Sequence, residues 1–576
     1  MINIFLLWFS IYFGYCFGSD FVRLSYGDIK GKTTKYADKT VYEFLGVPYA
    51  KPAVGKRRFT PPLPFESEDW YDQPYNATYP RNGCYQNTKN FSLPGLKWTH
   101  PSSIAEDCHH VNIWRPNSHN GGVLVVFFDI LHMRGSGTLK ELNGGFLAAK
   151  TGLIVVTVSY RLSIFGFGYL NREGREYLTG NTGLLDQQMS LRWVYENIEK
   201  FGGNRKTITI AGFGSASKLV TAHLFSTKSH KYFSRIFASS ETITSMWSYN
   251  SRKVAEKATL EVAYEVGCKN NSDYDIYHCL LKANPYKLAV AAEKLMFRGN
   301  FPFQYGFNVI NYDSVFFNGN LVTKIKERNM KEDFIFFGSK SKNIGALFLA
   351  MFIDGSDFGF KIKDSVSNTS YSSFKVSYSQ FKTFTKVINK HLGLKDYELK
   401  KIYEKYFKVS QAKKIKDFRS IVVKMISDIY FNVGMEKFVY DITYHTLCKK
   451  AYFYEFSRIS SGDRLLFPEW VLPMPGSEVE YFFGNPFTLS YKYNKKYVKL
   501  DQKASYKMMM LMKEFVTTGK PGKKWYGVKR STSKIVVVGD NEFCKEKPKK
   551  TSKASFYSYK IKRLIQFLPK EFKLQI

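Results

Sequence analysis

A chain of 576 residues with 44% hydrophobic and 23% charged residues is composed like a globular protein, which excludes wholesale disorder and a fibrous fold. Lys and Arg number 85 against 49 Asp and Glu, a formal net charge of +36, yet no RNP, zinc-finger or helix-turn-helix signature accompanies it, so nucleic acid is not an expected partner. At about 150 residues per domain the length admits three or four domains, or one large α/β enzyme.

The first element is an apolar run from Ile4 to Phe17 without a charged residue, followed by the small residues Gly18 and Ser19. The run is too short to span a bilayer comfortably and has the length of a secretory h-region, so residues 1–18 read as a leader and the chain as secreted. No later stretch approaches 18 consecutive apolar residues, so no transmembrane anchor is expected. Further on, Val123–Phe128, Leu153–Tyr160, Thr207–Ile210 and Ala451–Phe456 are short apolar or β-branched runs, as expected of strands covered on both faces. Between them, Leu184, Leu191, Val194, Ile198 and Phe201 recur at helical spacing and stop at Gly202 and Gly203. Strands alternating with helices imply a mostly parallel sheet.

With Cys16 removed in the leader, six cysteines remain, namely Cys84, Cys108, Cys268, Cys279, Cys448 and Cys544. An even number in a secreted chain favours disulfides, and no C-x-x-C spacing or His/Cys cluster points to a metal. Arithmetic alone leaves 15 pairings open. Asn76, Asn90, Asn270 and Asn368 head N-x-[ST] sequons, which become glycan sites in the secretory pathway.

From Tyr42-Glu-Phe-Leu-Gly-Val-Pro-Tyr-Ala50 to Pro62 the sequence resembles the type-B carboxylesterase/cholinesterase family. The likeness continues through Glu106-Asp-Cys-His-His-Val-Asn-Ile-Trp114, Ser159-Tyr-Arg161 and Gly180 to Asn204, and returns at Phe467-Pro-Glu-Trp470, Glu478 to Pro486 and Thr518-Gly-Lys-Pro521. The resemblance implies an α/β-hydrolase fold with a mainly parallel twisted central sheet in one large domain over 19–545, and no cofactor; the Lys-rich composition after Cys544 marks 546–576 as a basic C-terminal segment. It also implies the disulfides Cys84–Cys108 and Cys268–Cys279. Cys448 and Cys544 do not align with the family's third pair, so a bond between them rests on elimination. Trp98 falls where cholinesterases stack a quaternary ammonium, and Trp247 where they place an acyl-pocket tryptophan. Ordinary aromatic packing is the competing reading for both rings, and Lys97 beside Trp98 disfavours a cation there.

An active hydrolase of this class needs a Ser on a strand–turn–helix elbow, a His base and an orienting acid. Matched to the family, Ala211-Gly-Phe-Gly-Ser-Ala-Ser217 puts Gly214 in the nucleophile's place, Phe213 before it and Ala216 in place of the second glycine, with Ser215 one position late. Ile344 replaces the acid and Pro475 the histidine, and no histidine follows His445. The Gly-rich oxyanion loop has become Asp129, Ile130, Leu131 and His132; a carboxylate at Asp129 would repel an oxyanion, and Ile130 and Leu131 would hinder close backbone approach.

The expectation is therefore a secreted, non-catalytic, cholinesterase-like protein that binds another protein or an acidic surface, as neuroligins, neurotactin and glutactin use this fold without a working Ser. Two alternatives remain open from sequence. One is a protein that sequesters a small cation or ester in a residual gorge; the other is an ester hydrolase with displaced groups such as Ser215, His132 or His223.

Overall fold

The computed structural model describes residues 20–548 apart from 70–73, 90–97, 99, 246, 299–305, 342, 347–348, 350–373, 393–395, 405, 474–475, 524, 529–533 and 540–542. The leader 1–18, the sequons at Asn90 and Asn368, Lys97, Pro475 and residues 549–576 lie outside the described residues. Of Cys544 only the backbone is described.

The apolar runs form the middle of one eleven-stranded sheet. In chain order its strands are β1 (Lys32–Tyr36), β2 (Lys39–Pro48), β3 (His110–Pro116), β4 (Val123–Asp129), β5 (Ile154–Val158), β6 (Thr209–Gly214), β7 (Arg235–Ser239), β8 (Phe334–Ser341), β9 (Cys448–Phe456), β10 (Lys534–Val538) and β11 (Phe543–Pro548). Their order across the sheet is β11-β10-β9-β8-β7-β6-β4-β5-β3-β2-β1. Every ladder from β5 across to β10 is parallel. The remaining pairings, β1 with β2, β2 with β3, β3 with β5 and β10 with β11, are antiparallel. The mostly parallel α/β sheet expected from the sequence is present.

A parallel sheet must be covered on both faces, and its strands sort their residues accordingly. Val123, Val125 and Phe127 of β4 join Ile154, Val156, Ile210 and Ile236 in one core. Leu124, Val126 and Phe128 join Val155, Ala211, Phe213 and Phe237 in the other. Two-sided burial explains why these runs show no polar alternation in sequence. Each fully buried side chain of this size contributes about 1.5–3 kcal/mol.

The helices used below are α1 (Thr182–Asn197), α2 (Ala216–Ala222), α3 (Arg252–Glu265), α4 (Asp273–Lys282), α5 (Ser477–Phe483) and α6 (Val498–Thr518). The helical pattern expected over 184–201 is α1 plus a 3₁₀ turn, Ile198–Phe201. Its periodic residues are fully buried. Gly202, at φ +79°, ends it in the left-handed conformation that only glycine adopts without strain. Among the described residues no helix is long and apolar enough to cross a membrane.

Cys84 is bonded to Cys108 and Cys268 to Cys279, with Cα atoms 5.0 and 5.6 Å apart. The expectation of a third bond between Cys448 and Cys544 fails. Cys448 is a half-buried free thiol, its pKa pushed up to about 12 by burial. Strand register gives the reason. Cys448 begins β9 opposite Phe334, whereas Cys544 lies in β11 next to Phe543, level with Val538 of β10 and Phe456 at the far end of β9. At about 3.3 Å per residue that is some 20 Å or more along the strand. A disulfide needs Cα atoms within about 7 Å.

Candidate functional site

The site is built where β4 and β6 end side by side. β6 stops at Gly214, at φ +63°, and the chain turns through Ser215 into α2. This is the strand–turn–helix elbow of the α/β hydrolases, with glycine at the left-handed position. The β4–β6 ladder runs unbroken to its last pair, Gly214 opposite Asp129. The Ser215 N–H donates to the Asp129 carbonyl at 3.0 Å. In return, the Leu131 N–H donates to Ser215 Oγ at 2.6 Å. A Cβ added at Gly214 would fall inside the envelope of the Asp129 carbonyl oxygen.

The segment after β4 folds back on itself. The Ile130 N–H donates to the Arg134 carbonyl at 2.7 Å, and the Met133 and Arg134 N–H groups return to the Ile130 carbonyl at 3.1 and 3.3 Å. Leu131 and His132 are both at φ +56°, strained for residues with side chains. The strain is held by burial, since Leu131, His132 and Asp129 are nearly or fully enclosed.

Asp129 was expected to act through its carboxylate, but it meets the elbow through its carbonyl. The carboxylate faces elsewhere, with Oδ2 2.8 Å from His132 Nδ1 and accepting from the Tyr160 hydroxyl at 2.6 Å. Oδ1 accepts from the His132 N–H at 3.2 Å. Burial lowers the His132 pKa although Asp129 opposes it, and burial together with Asp129 raises Tyr160 well above its ordinary value. His223 has Nδ1 2.8 Å from Ser229 Oγ and Nε2 3.2 Å from Gln187 Oε1, and burial holds its pKa at about 3.

One turn into α2, Lys218 is fully buried with its ammonium 3.9 Å from the centre of the Trp247 ring. A desolvated contact of this kind is worth about 2 kcal/mol. Burial pulls Lys218 down to about 8 while Glu241 and Asp129 pull it up. Burial pushes Glu241 up to about 8 against Lys218. Trp247 also meets Phe431 edge-on at 5.4 Å. Trp98 is 8% exposed and packs on Phe128 at 4.8 Å, facing Gly476 at the start of α5. Ile344 is buried in the same apolar core as Val125, Ile210 and Ile236. Two residues into α5, buried Glu478 accepts from the hydroxyls of Ser239, Ser339 (2.7 Å) and Tyr454 (2.6 Å), and burial raises its pKa.

The structure thus brings together Asp129, Ile130, Leu131, His132, Gly214 and Ser215. It adds Tyr160, Lys218 and Glu241, which sequence reasoning missed. Lys218 had a signal, being the one charge in Ala216-Ser-Lys-Leu-Val-Thr-Ala222. Two sequon asparagines are described: Asn76 and Asn270 are exposed, and Thr78 Oγ1 donates to Asn76 Oδ1 at 2.7 Å.

A second polar knot lies beyond the end of β5. Arg161 grips Asp186 of α1 through Nε (2.8 Å), its second guanidinium nitrogen (2.6 Å) and its backbone N–H (3.0 Å). His109 Nε2 adds a contact at 3.1 Å. Burial alone would raise Asp186, but Arg161 and His109 outweigh it and hold the carboxyl well below its usual range.

A mainly parallel sheet with a strand–turn–helix elbow at the end of a central strand defines an α/β hydrolase. Within that class the chain belongs to the carboxylesterase family, whose model matches residues 18–556. It is 27% identical over 519 residues to acetylcholinesterase 4 of Caenorhabditis briggsae, covering 86% of this chain and 80% of that protein. It is 28% identical over 501 residues to the cholinesterase of Mus musculus (86% and 78%) and 29% identical over 521 residues to the acetylcholinesterase of Electrophorus electricus (86% and 79%).

Proposed function

We propose that this protein is a secreted, non-catalytic member of the family that acts by binding a protein or an acidic surface. The observation that carries the reading is the hydrogen bond from the Ser215 N–H to the Asp129 carbonyl. In α/β hydrolases the N–H after the nucleophile is an oxyanion-hole donor. Here it is spent on the chain's own carbonyl, which also fills the space a side chain at Gly214 would need. Removing one such donor costs about 10²–10³ in rate, and losing the nucleophile removes most of the rest.

The displaced-group alternative draws no support from Ser215, whose oxygen already holds the Leu131 N–H, nor from His223, whose two nitrogens are engaged within its own neighbourhood. The ligand-trap alternative is disfavoured by Lys218, an internal cation already on the Trp247 ring. Secretion rests on the apolar run Ile4–Phe17, the two disulfides and the exposed sequons at Asn76 and Asn270.

Hydrolysis of short-chain choline and aryl esters by the purified chain tests the reading. Rates at the level of buffer are expected. Turnover of roughly 1–10³ per second, abolished in Ser215→Ala, would establish a hydrolase with a displaced nucleophile instead.

A further inference from the structure

The approach to α6 and its exposed side carry Lys495, Lys496, Lys499, Lys503 and Lys507, all solvent-exposed. Between residues 495 and 507 the sequence holds one carboxylate, Asp501. That carboxylate is turned inward, where it accepts from Arg458 (3.0 Å), the Tyr481 hydroxyl (2.9 Å) and the Ser461 N–H (3.0 Å). Lys499, Lys503 and Lys507 follow at four-residue intervals and share one helix face, about 6 Å apart at 1.5 Å rise per residue. Like charges one turn apart repel and weaken a helix. The stripe therefore works against α6 taken alone, and a ligand of opposite charge would relieve it. Its spacing is shorter than the Debye length of about 8 Å at physiological ionic strength, so the lysines present one field.

Beside the stripe opens a cleft of about 640 Å³, with Arg458, Arg464, Lys503 and Lys507 among its lining and the exposed Tyr497 and Leu500 at its edge. Among the described residues of its lining stand four cationic side chains and one carboxylate, Asp501, which accepts from Arg458. The Lys496 ammonium lies 5.5 Å from the Tyr497 ring.

We propose that this cleft and the lysine stripe of α6 bind a sulfated polysaccharide, the sulfates meeting the spaced cations and the sugar rings resting on Tyr497 and Leu500. The inference rests on the proposed binding role and names its acidic partner. A concave cleft with cations at regular intervals favours a narrow, extended polyanion over a flat bilayer. Residue-scale apolar faces among the cations suit alternating sugar rings and sulfates better than a continuous phosphate backbone. Secretion, as proposed, places the cleft outside the cell with such sugars.

The test is calorimetric titration of the full chain with a heparin-derived octasaccharide at low and physiological salt. The triple variant Lys499→Ala/Lys503→Ala/Lys507→Ala is expected to weaken binding about tenfold or more and to flatten its salt dependence. A control of equal charge change, Lys253→Ala/Lys257→Ala/Lys282→Ala on α3 and α4, should stay within about twofold of the parent. Equal losses in both triples would overturn the cleft in favour of diffuse charge. Tighter binding of phosphatidylserine vesicles or duplex DNA than of the octasaccharide would overturn the sugar assignment. Ester turnover measured on the same sample separates the two ideas. Turnover sinks the non-catalytic reading and leaves the cleft, whereas absent octasaccharide binding without turnover sinks the cleft alone.

Discussion

Two turns at the same end of the sheet have met opposite fates. Beyond β5, Arg161 and Asp186 keep a fully buried ion pair, with His109 Nε2 3.1 Å from the Asp186 carboxylate. Beyond β6, a glycine, Gly214, stands at the elbow, and backbone satisfies backbone through Ser215 and Asp129. The first cluster ties β5 to α1 and keeps the architecture in place. The second needs only hydrogen-bonded closure, because an open hole would leave buried donors waiting for a substrate.

The comparison is sharpest if each turn is broken in its own way. Asp186→Asn leaves Arg161 buried without its counter-charge, and urea denaturation should show a loss of about 3–5 kcal/mol. The sign with pH follows from the depressed Asp186 carboxyl. Its contribution is present above the ordinary carboxylate range and is lost as pH falls through the lower folded value. A stability profile in which Asp186→Asn tracks the parent at neutral pH would remove the knot from its structural role.

At the elbow, Gly214→Ala combines a left-handed backbone with a collision against the Asp129 carbonyl. A cost of about 2–4 kcal/mol is expected. Gly55 is the matched control, at φ +59° with open space around its missing Cβ. Gly55→Ala should cost only about 1 kcal/mol, and equal costs at the two positions would mean that the elbow is not closed.

A pH-dependent effect belongs to Lys218 and Glu241. Glu241, raised to about 8, makes stability fall as pH climbs from the ordinary carboxylate range toward 8. Lys218, lowered to about 8, makes stability rise from there toward the ordinary lysine value, since the unfolded chain then binds more protons. Together they give a stability minimum near pH 8. The double variant Lys218→Met/Glu241→Gln should flatten it, and an unchanged minimum would assign it to other groups.

Much of the fold was legible because burial on both faces leaves unbroken apolar runs, as in β4 and β5, and because α1 repeats at helical spacing. β8 is less legible, its phenylalanines running into Gly338 and polar residues. The Cys448–Cys544 pairing failed because elimination ignores strand register, which sets the two residues at opposite ends of β9. In the site, the resemblance to the family's elbow located Gly214. The carbonyl of Asp129 could not be read the same way, since its position depends on the parallel register of two strands far apart in sequence. Lys218 stood out only as an odd cation in an apolar helix. Trp247, its partner, comes from beyond β7.

The central claim is that the elbow has no accessible nucleophile. Treating the intact chain with an organophosphate serine probe and mapping the labelled peptides tests it directly. The closed elbow predicts no adduct on Ser215 after an exposure that saturates an active cholinesterase run alongside. A stoichiometric adduct on Ser215 would contradict it.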